Sequence, residues 1–355
     1  MPSSSSIPAA VAATGTSLPP APVTLQAALR ALRPLLGPVS VAATTEGTPL
    51  ERLVMRADLP VVASCVPVEA AGPVTVSVAE APLVAAFLDG VQRSRIVAHV
   101  EGTPLVWGAV AAAVREREAR QLRTWRRPVV QRLLLASRAA LGDAAWQQLR
   151  DDGVPLVDIT DADAAPGDAA LHPHALRSRA LDAVALERVQ LERQLAAEWC
   201  AGETRWLWID GGVSGNLALT AQAPVFGVVK SHTTLYGDAA AVRAVLALRE
   251  GERSPAFLVG HRPRRAVASW YLRVRAPANG DPLFGLVRVE VVSPPALLDD
   301  ADHPDGRRAI TALCNLLSSA ILLERAPVSL PDARWDTLTY GVHAVETYLQ
   351  SLVGP

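Results

Sequence analysis

The chain has 355 residues, more than one ordinary domain needs, so it can bury a sizeable core in one large domain or two modest ones. Half of its residues are apolar, and 34 basic against 35 acidic residues leave a net charge of −1, so no global basic field advertises a polyanionic partner. Three scattered cysteines, Cys65, Cys200 and Cys314, argue against a disulfide framework or a thiolate zinc site.

No apolar run reaches the roughly 18 residues of a membrane span, and the Ser-rich opening lacks a basic region ahead of an apolar one. The expectation is a cytoplasmic chain without a membrane segment. Residues 1–23, made of Ser, Pro, Ala and Thr without periodicity, read as a disordered tail. Leu25, Leu29, Leu32 and Leu36 keep helical spacing up to Gly37-Pro38. Residues 40–80, rich in Val and Thr and broken by Pro60, Pro67, Gly72 and Pro73, read as several short strands. Residues 24–80 therefore form an N-terminal extension ahead of a main domain at 81–355.

In that domain, 84–88 reads as a buried strand that ends at Asp89-Gly90, and 94–100 and 104–114 follow as strands of an antiparallel meander. Residues 115–149 read as largely helical with a break at Pro128, and 151–173 as a polar loop. A long helix is expected over 175–199, then a second buried strand, 206–209, ending in Asp210-Gly211. A strand at 225–230, a helix near 239–249, a strand pair at 269–274 and 283–292, and helices near 307–324 and 340–352 complete the chain. Strands clustered first and helices interleaved later imply a mixed α/β sheet flanked by helices, in an RNase H-like order, with the small strand-rich extension before it.

The most informative feature is the pair of apolar strands that each run into Asp-Gly, Phe87-Leu88-Asp89-Gly90 and Trp208-Ile209-Asp210-Gly211. An Asp leaving a buried strand must be paired, hydrogen-bonded or metal-bound, and hard cations such as magnesium and manganese prefer carboxylate oxygens. Asp-Gly also serves ordinary turns, so both readings stand. Glu187 and Glu192 on the long helix could complete a metal site, or could belong to a solvated face shared with Arg188 and Arg193. His343 on the last helix could bind a cation or donate a proton. Lys230 is the only lysine of the chain and suits a phosphate contact. Arg262, Arg264 and Arg265, followed by Trp270 and Tyr271, resemble the basic-plus-aromatic surfaces that hold single strands, although the two aromatics suit a core strand equally well. No Walker-type loop, nucleophile elbow or paired-His zinc motif is present, and Gly211-Gly212-Val213-Ser214-Gly215 matches no dinucleotide fingerprint.

Taken in order, Leu88-Asp89-Gly90, Ile209-Asp210-Gly211, Gly227-Val228-Val229-Lys230-Ser231-His232, Gly251-Glu252-Arg253-Ser254-Pro255, Ser269-Trp270-Tyr271-Leu272-Arg273, Gly285-Leu286-Val287-Arg288-Val289-Glu290 and the closing His343-Ala344-Val345-Glu346 resemble the NurA nucleases. The resemblance runs from about residue 85 to 350. It implies an RNase H-like core, manganese-dependent cleavage of DNA ends, a homodimer, and work alongside HerA, a hexameric ATP-driven translocase, in double-strand break resection. Carried onto this sequence, it makes Asp89, Asp210, Glu192 and His343 metal ligands, with Lys230 beside them, and it favours Glu192 over Glu187. The family's first motif continues Asp-Gly-Ser, whereas here Val91 follows Gly90. A non-catalytic DNA-binding adaptor that regulates a translocase is the alternative.

Overall fold

The computed structural model describes residues 24–32, 34, 48–49, 60–100, 102–119, 121–160, 172–260, 264–277, 281–325 and 339–354. Helix α1 (Leu25–Leu32) is followed by four short strands, β1 (Thr48–Pro49), β2 (Val61–Ala63), β3 (Val66–Pro67) and β4 (Val74–Thr75). Next come β5 (Val84–Val100), β6 (Thr103–Glu118), β7 (Gln121–Thr124), β8 (Val129–Ala136), α2 (Arg138–Leu141), α3 (Asp143–Asp151) and β9 (Leu156–Asp158). The long helix α4 (Pro173–Gly202) leads into β10 (Trp206–Asp210), β11 (Val225–Val229), β12 (Thr234–Tyr236) and α5 (Ala239–Leu246). The remaining elements are β13 (Glu252–Arg253), β14 (Phe257–Val259), β15 (Val267–Arg273), β16 (Leu286–Val292), α6 (Pro295–Asp299), α7 (Pro304–Leu323) and α8 (Tyr340–Val353).

One mixed sheet organises the molecule, in the order β3-β14-β15-β16-β11-β10-β5-β6-β8-β9. Its centre is parallel, with β10 between β5 and β11, and antiparallel strands extend it on both sides. The central strands are apolar almost throughout because helices cover both faces. Alternation along β5 and β10 sorts the side chains. Leu88, Leu207 and Ile209 meet Leu181, Val184, Leu191 and Leu195 of α4 on one face. Phe87, Trp208 and Phe226 meet Ile310, Leu317, Val345 and Leu349 of α7 and α8 on the other. Gly341 lies directly on the Phe87 ring, so α8 sits close over β5. Each of these large side chains contributes about 1.5–3 kcal/mol by leaving water.

Three expectations from the sequence are corrected. Residues 84–100 form one strand of 17 residues, and Asp89-Gly90 lies in its middle instead of in a turn. The cause is β6, which continues alongside and pairs Asp89 with Ala113 and Gly90 with Ala112. Residues 121–124 and 129–136 are strands β7 and β8, not helix, because β7 pairs with β6 and β8 is taken up between β6 and β9. The links around them turn at Ala119 and Arg126, each with φ +54°. Part of the expected loop at 151–173 is strand β9, and its residues 161–171 lie outside the described residues. The expected tail, 1–23, lies outside them as well.

The N-terminal extension is built into the main sheet. Strand β3 pairs with β14 and β4 with β13, while Ala28 and Leu32 of α1 pack with Val97, Leu105, Trp107 and Trp146. A buried ion pair fastens it. The guanidinium of Arg253, fully enclosed, donates to both Glu69 carboxylate oxygens at 2.7 and 2.9 Å and to Asn315 Oδ1 at 2.8 Å. Glu69 also accepts from the Ala256 amide at 2.6 Å.

Candidate carboxylate site

Asp89 and Asp210 stand level on neighbouring parallel strands, and Lys230, just past the end of the next one, reaches back to them. Ile209 is in register with Leu88, and Asp210 with Val228, so Asp210 follows one step beyond β5's Leu88 and two steps before Lys230. Alternation directs Asp89 and Lys230 to the face that carries Phe87, Val91, Phe226 and Val228. Lys230 Nζ stands 2.7 Å from Asp210 Oδ2, with both side chains less than one-fifth exposed.

Asp89 is 6 % exposed and accepts the Gly90 amide at 2.7 Å. Its carboxyl titrates well above the usual carboxylate range, first because it is buried and then because the carboxylates of Asp210 and Glu192 stand near it. Glu192 approaches from α4, on the opposite side of the sheet. Burial pushes its carboxyl up to about 7, against the pull of Arg188, which donates to Glu192 Oε1 one helical turn away. Arg188 also donates to Gln92 Oε1 at 3.1 Å, which ties this helix cation to β5.

The glycines explain how α4 comes so close. A Cβ added at Gly90 would overlap Glu192 Oε1 and stand 3.0 Å from Arg188 Cγ. Gly90 is therefore a gap in the strand surface into which the helix carboxylate fits, and not a turn residue. Gly211, at φ +125°, lets the chain leave β10 sharply after Asp210. The loop that follows folds back on β11, where any side chain at Gly227 would strike the Gly211 carbonyl.

A cavity of about 180 Å³ opens beside this cluster, lined by Arg188, Glu192, Arg193, Asp210, Gly212 and Asn216 among others. The carboxylate oxygens are hard donors suited to manganese or magnesium, and a buried Asp flanked by two further carboxylates is stabilised by a divalent cation. Among the described residues no three His, Cys, Asp or Glu side chains already converge as metal ligands. The geometry gives the reason: Asp210 is turned onto Lys230, and Glu192 onto Arg188. The donor chemistry fits a hard cation, provided those two carboxylates exchange their cationic partners for it.

The other sequence-derived candidates fall in different places. Glu187 does not line this cavity, so Glu192 is the helix carboxylate of the cluster. His343 is exposed on α8, between Gly341 on the Phe87 ring and Gln350, which accepts from Arg93 at 3.3 Å. Trp270 and Tyr271 are fully enclosed, so they belong to the core and offer no ring to a nucleic-acid strand. Trp270 Nε1 donates to Ser318 Oγ at 2.8 Å, and the Tyr271 hydroxyl accepts the Tyr236 amide at 2.9 Å. Arg264 is exposed, Arg265 is tied to the Leu217 carbonyl, and Arg262 lies outside the described residues. Sequence reasoning missed Glu290, which is buried on β16, accepts the Val213 amide at 2.9 Å and pairs with Arg288. The signal was the glycine-rich loop, since a Cβ at Gly212 would lie 2.8 Å from Glu290 Oε2.

Among the described residues no helix is long and apolar enough to cross a membrane. No family model matches the chain, and no curated protein matches it either.

Proposed function

We propose that this chain is a metal-dependent deoxyribonuclease of the NurA type. The observation that carries the reading is Asp89, a carboxylate buried mid-strand with two further carboxylates and a lysine gathered around it. The order β8-β6-β5-β10-β11, with β6 the antiparallel member between β5 and β8, supports an RNase H-like core. Asp89, Asp210 and Glu192 would hold manganese, or magnesium in its place. The cation would supply Lewis acidity toward a phosphodiester and toward water. Lys230 pairs with Asp210 and would donate to a non-bridging oxygen of an arriving phosphate. His343, on the helix over β5, would deliver a proton at one side of the site. The same reading extends to a homodimer that resects DNA ends with a HerA-type translocase.

The test is cleavage of end-labelled linear DNA by the purified chain with manganese, beside the same assay with Asp89→Asn. Manganese-dependent shortening that vanishes in the variant supports the reading, and undiminished cleavage by Asp89→Asn refutes it. A second reading, a non-catalytic DNA-binding adaptor for a translocase, is favoured by one observation. Asp210 and Glu192 each already have a cationic partner, as in a structural ion-pair network. Tight DNA and translocase binding with no cleavage under any divalent cation would establish that reading instead.

A further inference from the structure

Beyond the carboxylates lies a second cleft, of about 270 Å³, near the lower end of the range for small-ligand pockets. It is lined by Arg193, Arg264, Arg265 and Arg288, with Glu290 and Ser214 among the remaining walls. Arg193 and Gly212 also border the carboxylate cavity, so the two spaces adjoin. The formal balance of these named side chains is four positive charges against one negative. Glu290 pairs with Arg288, whose guanidinium lies over the Tyr236 ring at 5.0 Å, and Arg265 donates to the Leu217 carbonyl at 3.0 Å. Arg193 and Arg264 are exposed at the rim, where they can meet solvent-borne anions, and Arg193 also stands near the Glu192 carboxylate.

The wall between them is backbone. A Cβ at Gly215 would lie 2.5 Å from Arg193 Nη2, so only glycine lets this guanidinium rest on the loop. Glu290 fixes the same loop from below through the Val213 amide, and the Arg265 amide donates to the Ser214 carbonyl at 2.9 Å. The cleft is thus a positively charged recess with a fixed floor, beside a candidate site for phosphodiester chemistry.

We infer that this cleft takes a phosphate group, that of the DNA strand next to the scissile linkage, between Arg193 and Arg264 over the 212–215 loop. The identity of the strand rests on the proposed nuclease function, whereas the anion site rests on the cleft itself. The test measures binding of a single-stranded 20-mer, and separately of inorganic phosphate and a deoxynucleoside monophosphate, to the full chain without divalent cation. Arg264→Ala and Ser214→Glu are compared with the parent chain.

For one lost single-strand phosphate contact, Arg264→Ala should weaken oligonucleotide binding about fivefold at 0.1 M salt and lower the slope of log K against log salt by about 0.7. Ser214→Glu, which places a negative charge on the loop, should weaken it at least as much. Parent-like affinity and slope in both variants would overturn the inference and leave the nuclease reading intact. If the parent chain binds no DNA, the nuclease reading fails. The anion site then stands only if phosphate or the monophosphate binds the parent and is lost in both variants, and it falls if neither anion binds.

Discussion

Replacing Glu69 by Gln keeps the side chain's shape and removes its charge. In the parent chain the two Glu69 oxygens receive two N–H groups of Arg253, at 2.7 and 2.9 Å, and the Ala256 amide at 2.6 Å. The substituted amide would offer one oxygen to these three donors and turn an NH2 toward a guanidinium that is 1 % exposed. Breaking a buried pair in this way costs about 3–5 kcal/mol, because the remaining charge is left without its counter-ion. At an unfolding entropy of about 2.1 cal/mol/K per residue, a folded part of roughly 300 residues loses about 5–8 °C in Tm.

Urea unfolding at pH 7 reads the free energy and calorimetry the melting point. A loss below about 1 kcal/mol would refute the reasoning, since it would mean that the pair is solvated or dispensable. Acid provides a second check. Burial raises the Glu69 carboxyl, but its bonds to Arg253, Thr311 and Ala256 and the Arg253 charge bring it below its ordinary 4.5 overall. A depressed pKa contributes stability that is fully present above 4.5 and is lost as pH falls through the folded value. The gap between Glu69→Gln and the parent chain should therefore hold from pH 7 down to about that point and narrow below it.

Three further outcomes follow from the site and the core. Gly90→Ala should shift Tm by only a few degrees, since the overlapped atom is the mobile end of Glu192, yet cut manganese-dependent cleavage by at least about tenfold by displacing that carboxylate. Full activity would show that Glu192 has no part in the site. Lys230→Met should lower cleavage about 10–100-fold and also lower stability, because Lys230 and Asp210 are each less than one-fifth exposed and Asp210 would be left beside Asp89 without its cation; an unchanged rate in the folded variant would remove Lys230 from the phosphate. Trp270→Ala should cost about 3–5 kcal/mol in urea unfolding while leaving DNA affinity intact where the variant is folded. A selective loss of DNA affinity would place the indole at the nucleic acid after all.

Much of the fold could be read locally. Trp206–Asp210 is visible as a continuous apolar run, Leu176, Leu181, Val184, Leu191 and Leu195 of α4 keep helical spacing without need of a partner, and Asp89 and Asp210 stand out because a carboxylate after an apolar run demands compensation. The residues 121–136 were hidden because the run Val129–Ala136 becomes a strand only through β6 and β9 on its two edges. Trp270 and Tyr271 looked equally suited to the core or to a ligand, and only the helices packed on β15 decide for the core.

What the sequence alone determined is the chemistry available: two strand-borne aspartates, a single lysine, a helix carrying Glu187 and Glu192, and a loop of glycines. The tertiary structure decided how these are used. It made Gly90 an opening for Glu192 instead of a turn, chose Glu192 over Glu187, set Lys230 against Asp210 and Arg188 against Glu192, and folded the 211–215 loop onto Glu290 and Arg193. The physical reason is range. Periodicity reports which face of an element is buried, whereas the partner of a charge is fixed by contacts between residues far apart in the chain, which packing alone brings together.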